Sequence, residues 1–198
     1  MRVILVLFLP FLLFSSDIKQ EIANSLKVVS HKSDLDVRIL YTIASIESNF
    51  NPYVISFITS DINLLKKLEN GFKNTKYTLK YSKYNKKQYI INISSEDEKE
   101  MIKIANFFWD MDFNIDFGIM QISKQNLTKN ETEYIFSPFY NISKSSNILL
   151  SCNEKYKDLK NVIECYNKGF IKKNKYNYYA KFQNNYNKFF GVEKWMHL

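Results

Sequence analysis

The sequence predicts an α+β domain that is mainly α, with one small β-hairpin inserted among the helices. Three observations predict it. Apolar residues recur at helical spacing from about residue 17 to 50, and again near 96–108, 142–151 and 158–168. The period changes to two at one place, where Tyr77, Leu79 and Tyr81 alternate with polar residues ahead of the aromatic and β-branched run Tyr89 to Ile93. No internal repeat and no long linker divides the 198 residues, a length sufficient for one domain with an ordinary core.

Composition narrows the class further. With 45% hydrophobic and 16% aromatic residues, the chain is not disordered. A net charge of +8, from 28 Lys and Arg against 20 Asp and Glu, raises an anionic partner. That signal is weak here. Arg2 and Arg38 are the only arginines, and the Lys excess accompanies an excess of Asn, Ile, Tyr and Phe, the pattern A/T-rich codons give.

Residues 1–16 read as a signal peptide. Arg2 supplies the positive charge, Val3 to Phe14 is an unbroken apolar run, and Ser15 and Ser16 precede the polar Asp17. Twelve apolar residues fall short of the roughly 20 that span a bilayer, and Pro10 argues against a buried first helix. A short membrane anchor is the alternative reading. Export places the mature chain, residues 17–198, in the periplasm, with membrane contact only through the signal peptide.

The mature chain then reads in order. A helical segment runs from about Asp17 to Phe50, punctuated at Ser30 to Ser33, with Ser33 and Asp36 resembling a capping pair. From Val37 the helix is apolar nearly all round, with Leu40, Tyr41 and Ala44 on one face and Ile39, Ile43 and Ile46 opposite, so it is buried. Asn51-Pro52 ends it. Residues 61–71 form a short helix closed by Gly71, and the hairpin follows. Ser94 to Asp97 starts a helix through Met101, Ile104, Ala105 and Phe108. Trp109 to Ser123 is loop-like, and helices follow near Ile142–Ser151 and Asp158–Lys168, the second closed by Gly169. The tail, 171–198, holds a further helix and reads as a solvated helix or a contact for anionic wall polymer, not a nucleic-acid surface.

Glu47 is the residue that stands out. It projects between Ile43 and Leu40 on a helix without a clear polar face, where desolvation raises a carboxyl pKa toward the range a general acid needs. The alternative is a solvent-facing residue in the last helical turn. Cys152 and Cys165 are the only cysteines, and an oxidising compartment allows them to pair; two free, partly buried thiols are the alternative. His31 and His197 lie far from them in sequence, so metal chemistry has little support.

Three segments carry a resemblance. Ile46-Glu-Ser-Asn-Phe-Asn-Pro52 resembles the catalytic signature of the soluble lytic transglycosylases, which have the goose-type lysozyme fold. Asp116-Phe-Gly-Ile-Met-Gln-Ile-Ser123 resembles their Gly-Leu-Met-Gln-Ile motif, with Ile119 in place of Leu. Cys165-Tyr-Asn-Lys-Gly169 resembles their Ala-Tyr-Asn-Ala-Gly motif, with Cys165 in place of the first Ala. They occur in the family's order and cover about residues 34–170, with Ser137 to Leu150 resembling the helix before the third motif. The short length and the hairpin most resemble the specialised members attached to type IV secretion and conjugation machines.

The resemblance implies a lysozyme-like domain, with a groove between helical lobe and hairpin, that cleaves peptidoglycan between N-acetylmuramic acid and N-acetylglucosamine. Glu47 alone would act as acid and then base, closing a 1,6-anhydro ring. Ser48, Gly118, Met120, Gln121, Tyr166 and Asn167 would contact substrate or the glutamate, with the Tyr166 hydroxyl near Glu47. A water-using muramidase would need a second carboxylate, for which Asp112 and Asp116 are candidates. The remaining alternative is a non-catalytic wall-binding or assembly protein. Partners implied are glycan strands and components of a secretion apparatus, with the chain a monomer; no metal or organic cofactor is implied.

Overall fold

A computed structural model describes residues 18–170 and 177–191. The signal-peptide expectation, residues 171–176 and 192–198 of the tail, and His197 lie outside the described residues.

Seven α-helices and five strands are described, in an α+β arrangement that is mainly helical. Helix α1 (Ile18–Ser33) buries Ile22, Leu26 and Val29 on one stripe and packs against α5 (Pro138–Tyr156). Ser33 does not cap the next helix: its Oγ donates back to Val29 O at 2.7 Å. Asp36 alone is the N-cap of α2 (Val37–Ser48), accepting from Arg38 N at 2.8 Å while its carboxylate also holds the Arg38 guanidinium. Helix α2 ends at Ser48, earlier than the proline implies. Asn49 and Phe50 take left-handed conformations with φ of 52° and 63°, and their N–H groups close on Ser45 O and Ala44 O.

The hairpin is present as β2 (Thr78–Lys83) and β3 (Tyr89–Ser94), but it is one end of a larger sheet. The strands β1 (Val54–Thr59), β4 (Ile115–Phe117) and β5 (Ile122–Ser123) extend it in the order β2-β3-β1-β4-β5, all antiparallel. Register aligns Ile93, Ile55 and Phe117 across three strands, and Ile91, Phe57 and Ile115 beside them. All six are at most 2% exposed, so this face is the sheet's contribution to the core. Loop-like Trp109–Ser123 is thereby corrected. It contains two strands too short to display a period of two.

Helix α3 (Ile62–Phe72) runs one residue past Gly71, and α4 (Glu98–Trp109) is capped by Asp97, whose side chain accepts from Lys99 N at 2.8 Å. Phe108 of α4 meets Phe57 at 5.3 Å between ring centroids, fastening helix to sheet. Glu100 accepts from Tyr77 Oη at 2.6 Å and pairs with Lys76 and Lys103, which anchors the start of the hairpin to α4.

Helix α5 is longer than expected at both ends: Pro138 occupies its first turn, where the missing N–H costs nothing, and the C-terminus closes only at Lys157, whose φ is 58° and whose N–H donates to Asn153 O. It packs on α6 (Leu159–Lys168), whose N-cap Asp158 accepts from Asn161 N at 3.0 Å. Cys152 and Cys165 form a disulfide across this pair, with Cα atoms 5.8 Å apart. The bridge joins residues 13 apart in sequence, and its removal is expected to cost about 3 kcal/mol, lowering Tm by about 10 °C. Melting of Cys152→Ala/Cys165→Ala beside the oxidised chain checks this; equal Tm values would contradict it.

The largest departure concerns the tail. Residues Asn177–Phe190 form α7, which packs on α2 and α6 and buries Tyr178, Phe182 and Tyr186, so it is a core helix and not a solvated one. Its aromatic face continues through Phe189 and Phe190, both against Tyr41 of α2.

Candidate active site

The last turn of α2 presents Glu47 to the first turn of α7. Tyr178 Oη donates a hydrogen bond to Glu47 Oε1. The glutamate is half-buried and its carboxyl pKa is pushed up to about 7, chiefly by desolvation, with the Asp116 charge adding to the rise. The Tyr178 hydrogen bond and the Lys181 charge act the other way by favouring the ionised form. Glu47 is therefore near half-protonated at neutral pH, able to give or accept a proton there.

The neighbouring loop, residues 117–121, is fixed by side chains from several elements. Gly118 has φ of 72° and donates its N–H to Val54 O at 2.8 Å. Asn141 of α5, fully buried, accepts from Met120 N at 2.7 Å and donates through Nδ2 to Phe117 O and Ile135 O at 3.0 and 2.9 Å. Ser48 Oγ donates to Ile119 O at 2.8 Å, tying the loop to the residue after Glu47. Gln121, with φ of 48°, turns its Nε2 back to Gly118 O at 2.8 Å.

Ser48, Gly118, Met120, Gln121 and Tyr166 are thus part of one hydrogen-bonded assembly around the loop beside Glu47. Their individual places differ from expectation. The Met120 side chain is in the core with no exposed surface. Tyr166 Oη donates to Met120 O at 2.7 Å and accepts from the Ser145 hydroxyl at 3.1 Å, so its hydrogen bonds go to the loop and to α5. Its hydroxyl pKa is raised first by burial and then by the nearby Glu47 charge. Tyr166 is thus near Glu47 as expected, and the direct hydrogen bond to Glu47 comes from Tyr178. Asn167 is exposed at the end of α6.

The two candidate second carboxylates separate clearly. Asp112 is exposed, whereas Asp116 on β4 is partly buried, with a pKa pushed up to about 6 by desolvation and lowered in part by Ser123. Its charge acts on both Glu47 and Tyr166.

A groove of about 1390 Å³ opens between the helical lobe and the hairpin, with Leu26, Tyr41, Phe50, Tyr53 and Lys80 in its walls. Asn49, two residues past Glu47, is among its lining residues, and Glu47 itself is not. Among the described residues, no three His, Cys, Asp or Glu side chains gather as a metal cluster.

Sequence reasoning missed Tyr178, Lys181 and Asn141. A signal for the first was present: Tyr178, Phe182 and Tyr186 recur every four residues, the spacing of a buried helical face. Asn141 gave no comparable signal, since one Asn in a polar helix looks like any other.

The family model described as the transglycosylase SLT domain matches residues 25–189, from within α1 almost to the end of α7. No curated protein and no solved structure gives a significant match.

Proposed function

The chain belongs to the transglycosylase SLT domain family, whose activity is lytic cleavage of peptidoglycan glycan strands, and from that premise we propose that Glu47 is its single catalytic acid and base. The observation that carries this is the desolvated Glu47 carboxyl, with a pKa near 7, held by Tyr178 beside the Gly118–Gln121 loop. In the first half of the reaction protonated Glu47 gives its proton to the glycosidic oxygen, and the bond from that oxygen to C1 of N-acetylmuramic acid breaks. In the second half the carboxylate takes the proton of the 6-hydroxyl on the same sugar, whose oxygen bonds to C1 and closes the 1,6-anhydro ring. One ring closure replaces attack by water, so one carboxyl suffices. Ser48, Gly118, Gln121, Tyr166 and Asn167 hold or shape the sugar site, while Met120 acts through its backbone and core packing.

Hydrolysis by a muramidase is the second reading, and Asp116 favours it. It is a desolvated carboxyl whose charge acts on Glu47, so a second carboxylate, which water attack requires, stands within electrostatic reach of the acid. We further propose export to the periplasm, carried by the apolar run Val3 to Phe14, and local wall opening for an envelope-spanning secretion apparatus, which the short domain and hairpin support. Release of soluble muropeptides from purified sacculi by the purified protein tests the cleavage; unchanged sacculi from well-folded protein leave a binding or assembly role instead.

A pH dependence follows from the same carboxyl. Glu47 must start protonated, so kcat/KM is expected to fall as pH rises through about 7. Stability moves in the same sense. A carboxyl whose folded pKa lies above its unfolded value favours the folded state below about 4.5, and that contribution is lost as pH rises through about 7. A limb of kcat/KM centred near 4.5 would contradict the desolvated environment.

A further inference from the structure

Glu164 is a carboxylate with no exposed surface, on α6 next to the disulfide-bonded Cys165 and two residues before Tyr166. Burying such a group is costly unless its oxygens are partnered, so its place needs a reason. One oxygen pairs with Lys168 Nζ at 3.1 Å, a turn further along α6. The other oxygen, Oε1, accepts from the backbone N–H of Tyr179 at 2.8 Å. Tyr179 is the third residue of α7, so this N–H is one of the first four in the helix, which find no partner within it. A negative charge at that end also complements the helix dipole. The adjacent residue, Tyr178, is the one that donates to Glu47, and the Glu164 charge is near enough to act on its hydroxyl.

We infer that Glu164 is a positioning residue for the Glu47–Tyr178 pair: its buried carboxylate ties the first turn of α7 to α6 and so fixes where the Tyr178 hydroxyl meets Glu47. The inference rests on reading Glu47 as the acid and base. It explains why a hydrogen-bond acceptor stands at a buried point of α6, where an apolar residue would satisfy packing alone. The groups facing Glu47 are Tyr178 and Lys181 from α7, Asp116 from β4 and Tyr166 from α6. Glu164 touches Glu47 only through the second residue of α7.

Carbon-13 NMR titration of the Glu47 carboxyl in the full chain, with its resonance assigned by Glu47→Gln, tests the tether without requiring turnover. Tyr178→Phe sets the scale, since loss of a hydrogen bond that favours the ionised form is expected to move the midpoint upward by about one pH unit. Glu164→Asp, too short to reach the amide, and Glu164→Ala withdraw the acceptor in two ways, so one well-folded variant suffices. Each is expected to raise the Glu47 midpoint as Tyr178→Phe does, with no further rise when combined with Tyr178→Phe. Glu164→Gln, which keeps an acceptor of the same reach, is expected to stay at the wild-type midpoint. A wild-type midpoint in the folded Asp or Ala variant, additive shifts in the double variant, or a Gln variant that moves with the others overturns the tether. Sacculi left intact by the wild-type chain would count against the functional reading instead, and the titration would still decide the tether.

Discussion

Glu47→Gln is expected to lower the rate of muropeptide release about 10³-fold while leaving the fold intact, since general acid–base catalysis by a placed side chain contributes factors of that order. The amide has the shape of the carboxyl and can still accept from Tyr178, so geometry at the end of α2 is preserved. It cannot deliver a proton at neutral pH. The variant is also expected to melt no lower than the wild type at pH 8, where it removes an ionised carboxyl that burial disfavours. Rates on purified sacculi and melting curves check both halves. Activity within a few-fold of wild type would remove Glu47 from the chemistry, and a lowered Tm would mean the carboxyl is structural.

Gly118→Ala is expected to be the most disruptive single-atom-scale change in the loop, costing about 3 kcal/mol or more. A Cβ built on Gly118 would lie 2.4 Å from Asn141 Nδ2, 2.9 Å from Asn141 Cγ and 2.9 Å from Ile135 O, with φ at 72°. The clash falls on a fully buried side chain that satisfies Met120 N, Phe117 O and Ile135 O, so moving it leaves backbone groups unpaired where water does not reach. Gly169→Ala separates crowding from backbone strain. Its φ is 69°, but nothing lies within 4 Å of the added carbon, so a cost of only about 1 kcal/mol is expected. Equal losses in the two variants, read by chemical denaturation, would show that conformation alone governs Gly118.

Much of this site is written in short, local patterns. The buried α2 followed from Ile39, Leu40, Ile43 and Ala44 surrounding the helix, and the desolvation of Glu47 followed from its neighbours on that helix. The three motif segments located the Gly118–Gln121 loop and Tyr166 without structural help. What the sequence concealed depends on distant pairing. Strand β4 has three residues and β5 two, so neither displays a period; β4 becomes a strand by pairing with β1, and β5 by pairing with β4. Strand β1 itself, Val-Ile-Ser-Phe-Ile-Thr, is nearly continuous in apolar character and carries no alternation to mark it.

The tail shows the same limit in another form. Its Lys and Asn residues hide a stripe of Tyr178, Phe182 and Tyr186, and only packing on α2 and α6 reveals that the stripe closes the site. The hydrogen-bond donor to Glu47, Tyr178, was concealed for this reason. Tyr166 lies within the third motif and its hydroxyl donates to Met120 O, while α7 returns over the end of α2 and brings Tyr178 to Glu47.

The central claim is one carboxyl and no water, and product mass tests it most directly. Muropeptides released from purified peptidoglycan by the wild-type chain, analysed by mass spectrometry beside those from Glu47→Gln, are expected to end in 1,6-anhydromuramic acid, one water lighter than hydrolysed ends, with none from the variant. Reducing ends from the wild-type chain would contradict the claim and transfer the second half of the reaction to water and Asp116.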